Sequence, residues 1–230
     1  MRGFIFPYRA KVLQKQKINH NVMSFHIERP YGYSFTPGQA IDLSIDGPGY
    51  ELDIAPFTIF NAVTSSAIEL IIKIRPNKNS LTYSLATLDN GSMLQISDPW
   101  DIYEYKGRGI FIAAGSGITP FLPILKNLSN SGMNLKENHK FIYANKRKKD
   151  ILFHSDLNQL FAENCIHLLS EDKEKNMLSG RVDSTFLNAQ IKDFDQYFYI
   201  CGPKIFEQDV RKSLLSLGAN KRKIQTGYNF

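Results

Sequence analysis

The chain has 230 residues, of which 43% are hydrophobic and 12% aromatic, and it carries a formal net charge of +6. That length suffices for one large domain or for two of ordinary size with hydrophobic cores. No apolar run approaches the roughly 18 residues that cross a bilayer, and proline and arginine interrupt the N-terminus too early for a signal peptide. Two cysteines exclude a four-cysteine iron–sulfur cluster from this chain alone and predict a cytoplasmic protein without a disulfide framework.

The basic charge narrows the classes of partner. Positive proteins attract nucleic acid, anionic small molecules or acidic proteins through long-range fields. The sequence has no zinc-finger spacing and no aromatic ribonucleoprotein motif, so we expect no nucleic-acid partner. The five histidines are scattered without metal-ligand spacing, so we expect no metal site. Anionic small molecules and an acidic protein are therefore the expected binding partners.

The N-terminal part, up to about Asp98, consists of short alternating segments separated by turns, a pattern typical of an antiparallel barrel or sandwich. Between residues 79 and 88 the apolar spacing becomes helical. A six-stranded antiparallel barrel with one short helix is consistent with this part. The strands are predicted at residues 8–13, 22–27, 41–45, 56–61, 68–74 and 93–96.

From Gly109 onward, strands alternate with helices, which predicts a parallel-sheet α/β domain. The domain boundary is predicted near residues 101–107. Ligands of such sheets gather at the carboxyl ends of the strands. The strands are predicted at residues 110–114, 141–145, 167–169 and 197–201, and the helices at 120–130, 155–163, 184–191 and from Pro203 to before Gly218.

A glycine turn follows the first predicted strand of this part. Its residues are Gly115, Ser116, Gly117, Ile118, Thr119 and Pro120. The glycines allow a tight turn, Thr119 is predicted to cap the next helix, and Pro120 suits the first helical position. Free N–H groups at a helix N-terminus suit a phosphate. The turn matches neither G-x-G-x-x-G nor the phosphate-binding loop, so taken alone an ordinary βα turn is an equal alternative.

Four stretches in one order carry a family resemblance. They are Pro37-Gly38-Gln39, Pro56-Phe57-Thr58-Ile59, the glycine turn, and Tyr199-Ile200-Cys201-Gly202-Pro203. With these motifs the chain resembles the ferredoxin–NADP reductase family over essentially its whole length. The resemblance implies an FAD-binding β-barrel domain at residues 1–104 and an NAD(P)-binding α/β domain at residues 105–230.

The resemblance also implies which residues bind the flavin. The family's R-x-Y-S/T motif falls on residues 55–58, so Phe57 would stack on the flavin and Thr58 would be a catalytic hydroxyl near N5. A second segment would hold the pyrophosphate through its amides and the Thr82 hydroxyl. The remaining implied flavin contacts are Pro56, Ile59, Ile72, Lys73, Ile74, Asn79, Ser80 and Leu81.

Two departures from the family pattern concern flavin retention. The motif arginine is Ala55, and the glycines of the second segment are absent. Lys73, Arg75 or Lys78 can replace the missing charge, and the sequence does not choose among them. FMN, or FAD that is loosely held, is therefore an alternative to tightly bound FAD.

On the nucleotide side, the resemblance implies that the glycine turn receives the pyrophosphate. Cys201, Gly202 and Pro203 would lie beside the nicotinamide, with Cys201 as a contact residue of the catalytic site and not a nucleophile. The alternative for Cys201 is a small buried hydrophobe.

The choice between NADPH and NADH depends on charge near the adenosine ribose. Arg181 matches a family arginine that contacts the 2′-phosphate, and Arg147 is at a second candidate position. Residues 170–172, which include Glu171 and Asp172, favour free ribose hydroxyls. The balance favours NADPH.

At the C-terminus, the family implies an aromatic residue near the flavin, for which Tyr228 and Phe230 are candidates. A frayed tail is an equal alternative. Gly227 stands where the family has an acidic residue, so no carboxylate proton relay is expected.

The resemblance implies a flavoprotein oxidoreductase that passes a hydride from NAD(P)H to FAD and electrons to an external acceptor. The basic charge suits an acidic carrier such as flavodoxin or ferredoxin. Alternatives are an oxygenase reductase component, a reductase of free flavin, and a degenerate member that binds nucleotide as a sensor or assembly subunit.

Overall fold

In the computed structural model, which describes residues 6–62 and 64–228, the chain forms two units, Met1–Ile102 and Tyr103–Phe230. The first unit contains strands β1 to β6 and helix α1. Their bounds are β1 Tyr8–Lys17, β2 Val22–Glu28, β3 Ala40–Ile45, β4 Ala55–Thr58, β5 Ala67–Lys73, α1 Leu81–Thr87 and β6 Met93–Ile96. Every named pair of neighbouring strands is antiparallel, in the order β4-β3-β6-β1-β2-β5.

The two outer strands of this sheet meet. An antiparallel bridge joins Ile59 to Leu70, and the N–H of Phe60 donates to the carbonyl of Glu69 at 2.8 Å. This contact brings the end of β4 to β5 and nearly closes the sheet into a barrel. The predicted six-stranded antiparallel barrel with one helix is confirmed.

Strand β1 shows why the sequence predicts such a barrel and where its prediction stops. Ala10 and Val12 are buried and alternate with the exposed Lys11 and Leu13, so one face of the strand lines the core. Beyond Leu13 the apolar alternation ends, but the strand continues to Lys17 because its backbone still pairs with β2 after a shift in register.

The second unit contains strands β7 to β12 and helices α2 to α6. Their bounds are β7 Gly109–Ala114, α2 Phe121–Asn130, α3 Leu135–Asn138, β8 Lys140–Asn145, α4 His154–Phe161, β9 Cys165–Leu169, β10 Leu178–Ser179, α5 Ser184–Gln190, β11 Tyr197–Cys201, α6 Lys204–Ser216 and β12 Ile224–Thr226. The strands are parallel, in the order β10-β9-β8-β7-β11-β12. The predicted parallel α/β sheet is confirmed.

The strand order changes direction at β7: successive strands are added first on one side of β7 and then on the other. From β7 the chain runs outward through β8 and β9, and it then returns to the other side of β7 with β11. The carboxyl ends of β7 and β11 therefore flank a topological switch point, the position where ligands bind in open α/β sheets. Within the described residues no helix is both long and apolar enough to cross a membrane.

The start of α2 differs from the prediction. Residues Gly115–Ile118 form a 3-10 turn that runs on toward the helix, and Thr119 already has helical angles (φ −59°, ψ −38°). Its hydroxyl donates back to the Ser116 carbonyl at 3.0 Å, and Pro120 is the residue that flanks the helix. Thr119 therefore does not cap α2, because its side chain is used inside the preceding turn.

Candidate functional site

Two predicted site segments meet at the switch point of the parallel sheet. β7 and β11 pair directly, with Ala113 opposite Cys201. The glycine turn follows β7, and β11 ends at Cys201, with Gly202 and Pro203 directly after it. Both segments therefore leave neighbouring strands at the same edge of the sheet, where a nucleotide would bind.

The two segments are in backbone contact. A Cβ atom added to Gly117 would lie 2.2 Å from the carbonyl oxygen of Cys201 and 2.9 Å from the amide nitrogen of Gly202. A Cβ atom at Gly202 would lie 2.9 Å from that of Ala114. Side chains do not fit at these separations, so both glycines are required by the protein's own packing.

The glycine turn lies directly after β7, at the carboxyl edge of the sheet. Gly115 has a positive φ of 54°, which glycine adopts at little cost. Its carbonyl accepts a hydrogen bond from the Tyr143 hydroxyl at 2.8 Å, which orients the turn. The first N–H groups of a helical turn have no partner within that turn. This donor set suits a diphosphate.

Cys201 is a free cysteine whose residue as a whole is partly exposed, while its thiol lies in surroundings that keep it neutral. Burial raises the pKa of this thiol to about 12, with the Tyr103 hydroxyl acting in the opposite direction. A neutral thiol is a poor nucleophile. The arrangement is suited to a contact residue, which is the role that the resemblance implies.

No sequence pattern points to the carboxylate that lies beside this thiol. Glu207 in α6 is 1% exposed. Its Oε1 accepts from the N–H of Gly202 at 3.0 Å, and its Oε2 accepts from the N–H groups of Gly227 at 2.9 Å and of Tyr228 at 3.3 Å. Burial raises the pKa of Glu207, and these donors oppose that rise. A carboxylate thus lies beside Gly227, although residue 227 itself has none.

The C-terminal segment joins the sheet instead of fraying. β12 pairs in parallel with β11, Ile200 opposite Thr226. This strand was not predicted, because three residues are too short to show a pattern. Tyr228 follows it with 44% of its surface exposed, and the Lys204 ammonium lies 6.0 Å from the ring centroid. Phe230 lies outside the described residues.

The two arginines predicted to contact the 2′-phosphate of the nucleotide, Arg147 and Arg181, follow β8 and β10. The guanidinium of Arg147 pairs with Glu171 at 3.0 Å, and Lys146 pairs with the same carboxylate at 3.1 Å. These two cations lower the pKa of Glu171. Arg181 is exposed and forms no ion pair with any residue that the structure describes. The two arginines therefore differ, since only Arg147 is already neutralised.

Asn145, the last residue of β8, is a site candidate that the sequence did not indicate. The residue is 7% exposed, and neither its Oδ1 nor its Nδ2 makes a hydrogen bond of good geometry with a described residue, although its amide lies near enough to the Tyr143 hydroxyl to lower the pKa of that group. A buried amide without partners is costly. Since it lies at the ligand-binding edge of the sheet, it suits a polar group of a bound nucleotide.

In the barrel, the predicted flavin residues lie on β4, at the end of β5 and at the start of α1. Phe57 packs against the barrel core, while the half-exposed Thr58 hydroxyl has no hydrogen-bond partner within the described residues. A hydroxyl that is free to donate and accept suits a hydrogen bond to a flavin nitrogen. Pro56 and Lys73 are exposed on the same two strands, whereas Ile59 and Ile72 are core residues and Ile74 is half-buried.

The second flavin segment forms the start of α1. Ser80 caps this helix by accepting from the N–H of Tyr83 at 3.3 Å, and the Thr82 Oγ1 accepts from the N–H of Arg75 at 3.1 Å. Leu81 is buried, and Asn79 is exposed. The bond to Thr82 brings Arg75 to the helix start. The exposed Lys73, Arg75 and Lys78 form no ion pair with any residue in the described ranges, so the segment offers cations to an anionic ligand.

Two family models match this chain. An FAD-binding domain matches residues 8–97, and an oxidoreductase NAD-binding domain matches residues 111–212. A component of 1,2-phenylacetyl-CoA epoxidase from Escherichia coli (strain K12) is 26% identical over 216 residues, covering 85% of this chain and 60% of that protein. Cytochrome b5 reductase 4 from Xenopus tropicalis is 26% identical over 250 residues, covering 97% of this chain and 47% of that protein.

The chain belongs to the ferredoxin–NADP reductase-like family of FAD/NAD oxidoreductases. The fold agrees with a solved ferredoxin NADP+ reductase from Neisseria gonorrhoeae with bound FAD and NADP. That match has a TM-score of 0.77 and 18% identity, and it covers 96% of this chain and 98% of that one. The chain spans about half the length of the two curated relatives from Escherichia coli and Xenopus tropicalis.

As a member of this family, the chain has FAD and a pyridine nucleotide as its cofactors. The residues present fit both groups. The N–H groups of the glycine turn and the orphaned amide of Asn145 suit the nucleotide. The free Thr58 hydroxyl and the unpaired cations near α1 suit the flavin and its diphosphate.

Proposed function

We propose that this protein is an NAD(P)H-dependent flavoprotein reductase that passes electrons to an external acceptor. The FAD-binding domain is the first unit, residues 1–102, and the NAD(P)-binding domain is the second unit, residues 103–230. The observation that supports the proposal most strongly is the backbone contact between the glycine turn and the Cys201–Gly202 segment at the switch point. It brings the glycine turn, the proposed binding segment for the diphosphate, against the strand end that carries Cys201.

When bound, NAD(P)H supplies a hydride from its nicotinamide ring and FAD accepts it. The protein's own residues bind, orient and exclude water. The N–H groups of the glycine turn hold the dinucleotide diphosphate. Cys201 and Pro203 contact the nicotinamide, and the thiol stays protonated at Sγ because burial raises its pKa to about 12. Phe57 packs on the flavin, and the Thr58 hydroxyl hydrogen-bonds to it.

The remaining predicted residues have proposed roles in binding. Ser116, Ile118 and Thr119 shape the nucleotide turn, and Tyr228 provides an aromatic face. On the barrel, Lys73 and Ile74 lie along the flavin and Ser80 and Thr82 near its diphosphate. We propose that Arg75 replaces the arginine missing at Ala55, because its N–H bond to Thr82 holds it at the start of α1.

For the nucleotide, we propose NADPH, with Arg181 on its 2′-phosphate. Arg181 is the exposed arginine at this edge that has no acidic partner within the described residues. Arg147 contributes less, because Glu171 holds its guanidinium at 3.0 Å.

The proposed acceptor is an acidic electron-carrier protein, such as a flavodoxin or ferredoxin. The net charge of +6 favours this class through electrostatic steering. A second candidate is a reductase component of an oxygenase, which the name of the relative from Escherichia coli supports, since that protein is one component of an epoxidase. The free cysteines Cys165 and Cys201 suit a reducing, cytoplasmic setting.

An absorbance spectrum of the protein as isolated tests the proposal. We expect a yellow protein whose flavin bands bleach when NADPH is added without oxygen. Steady-state oxidation of NADPH should then reduce an artificial acceptor. A colourless protein that neither binds added FAD nor oxidises NAD(P)H would contradict the proposal, and tight nucleotide binding without turnover would favour a sensor or assembly subunit.

A further inference from the structure

The Glu207 carboxylate joins segments that are far apart in the sequence. Its two oxygens accept from Gly202 after β11 and from Gly227 and Tyr228 after β12. The Tyr103 hydroxyl lies 3.5 Å from Oε1 and donates to the carbonyl of Ile200 at 2.6 Å. One buried side chain thus ties the end of β11 to the C-terminal segment.

Burying the Glu207 carboxylate costs free energy unless its oxygens accept hydrogen bonds from the surrounding N–H groups. An ionised carboxylate at 1% exposure loses its hydration and must recover the energy from hydrogen bonds. Glu207 lies in the first turn of α6, where the helix dipole also favours a negative charge. A helix-surface glutamate would point to solvent, whereas this one turns back toward the Gly202 N–H.

The space beside Gly227 is shaped for this carboxylate. A Cβ atom at Gly227 would lie 3.3 Å from the Glu207 Oε1 and 3.0 Å from the Tyr103 hydroxyl oxygen. Any side chain at residue 227 would therefore press on the carboxylate. Within the same segment, the Thr226 hydroxyl donates a hydrogen bond to the Tyr228 carbonyl at 2.7 Å. Tyr228 is thus held by its backbone while its ring stays accessible.

We propose that Glu207 is a positioning residue that holds the C-terminal segment 227–228 against the Cys201–Gly202 end of β11, and so fixes Cys201 and the Tyr228 ring relative to the nicotinamide. Glu207 acts through these residues and does not itself touch the nucleotide. The role rests on the proposed reductase function. The diphosphate is held elsewhere, by the glycine turn, so loss of the carboxylate should misplace the ring without releasing the nucleotide.

Hydrogen–deuterium exchange of the cofactor-free protein measures the contact directly. Glu207→Gln keeps the shape, but an amide has one acceptor oxygen, and its NH2 group would face N–H donors. We expect exchange in the peptides that contain Gly202 and Tyr228 to speed up at least tenfold. Asp209→Asn, an exposed carboxylate on the same helix, is the matched control and should leave both peptides unchanged.

Kinetics of the FAD-loaded enzyme then separate positioning from binding. Glu207→Gln should lower kcat for NADPH oxidation about tenfold, since small misplacements of reacting groups are costly, while KM changes less than threefold. Gly227→Ala, which crowds the carboxylate without removing it, should lower kcat about threefold. This second variant keeps the test decisive if Glu207→Gln folds poorly.

Three results would overturn the proposal. They are unchanged exchange in Glu207→Gln, an unchanged kcat, and faster exchange spread equally over β8 and β9, which would mean a general loss of stability. Failure of the proposed function gives a different pattern: the wild-type protein does not oxidise NADPH, yet the exchange experiment still reports whether Glu207 holds the segment.

Discussion

The nucleotide region of the α/β unit and the flavin region of the barrel are built in opposite ways. At the switch point, Gly117 lies against the backbone of Cys201 and Gly202, and a buried carboxylate binds a third segment. In the barrel, the flavin candidates are exposed cations, a free hydroxyl and the start of a helix of seven residues. The first region is shaped by the protein's own packing, whereas the second presents exposed cations that form no ion pair within the described residues and can bind an anionic ligand.

The two regions should therefore lose different amounts of conformational entropy when their cofactors bind. A turn fixed by backbone contact is preorganised, so little conformational entropy is lost when a nucleotide binds. Exposed lysine and arginine side chains lose rotamer entropy when a diphosphate immobilises them. We therefore expect mutations in the nucleotide region to affect folding and those in the flavin region to affect affinity.

The largest effect is expected for Gly117→Ala. Its Cβ atom would lie 2.2 Å from the Cys201 carbonyl oxygen, a contact that only a backbone shift can relieve. We expect a loss of about 3 kcal/mol of unfolding free energy and a fall in Tm of roughly 10 °C or more, measured by thermal denaturation without cofactors.

Gly47→Ala is the matched control for that prediction. Gly47 has no positive φ, and its added Cβ would meet the Tyr50 ring at 3.9 Å, which is an ordinary contact. Its Tm should stay within a few degrees of the wild type. If Gly117→Ala were equally harmless, the turn would be able to move, and the contrast between the two regions would fail.

The second effect concerns flavin retention. Arg75→Ala should weaken FAD binding about tenfold, because a charge-assisted hydrogen bond to the diphosphate is lost, with little change in Tm. Titration of the flavin-free protein with FAD measures this. Lys73→Ala and Lys78→Ala should cost less, and Lys11→Ala, an exposed cation on β1, should cost nothing. A larger loss for Lys73 or Lys78 would transfer the role of the missing arginine to that residue.

The sequence predicted those features that depend on residues close together in the chain. Apolar runs locate β7 and β11, and the proline and glycine around α6 predict its position closely. The glycine turn was expected to be tight, but its strongest constraint is the distant Cys201 carbonyl, which no local pattern reveals. Glu207 was missed for the same reason, since a glutamate in the first turn of a helix is an ordinary residue until the fold brings Gly227 to it.

The smallest effects are expected at the carboxyl ends of β8, β9 and β10, where the charged side chains are exposed. Arg181→Ala should lower kcat/KM for NADPH relative to NADH about fivefold, because its exposed guanidinium is the proposed partner of the 2′-phosphate. Glu171→Gln should raise the same ratio only about threefold, because it releases Arg147 and Lys146 from exposed ion pairs, which are weak.

Glu174→Gln separates this effect from a general gain in positive charge. It frees Lys148, which pairs with Glu174 at 2.9 Å, but not Arg147. If both glutamine variants raise the ratio equally, the gain comes from the added positive charge at the carboxyl edge of the sheet and not from the guanidinium of Arg147. If only Glu171→Gln raises it, the choice of nucleotide depends on how firmly Glu171 holds that arginine. The preference between NADPH and NADH would then be set by an exposed ion pair, and not by the buried contacts at the switch point.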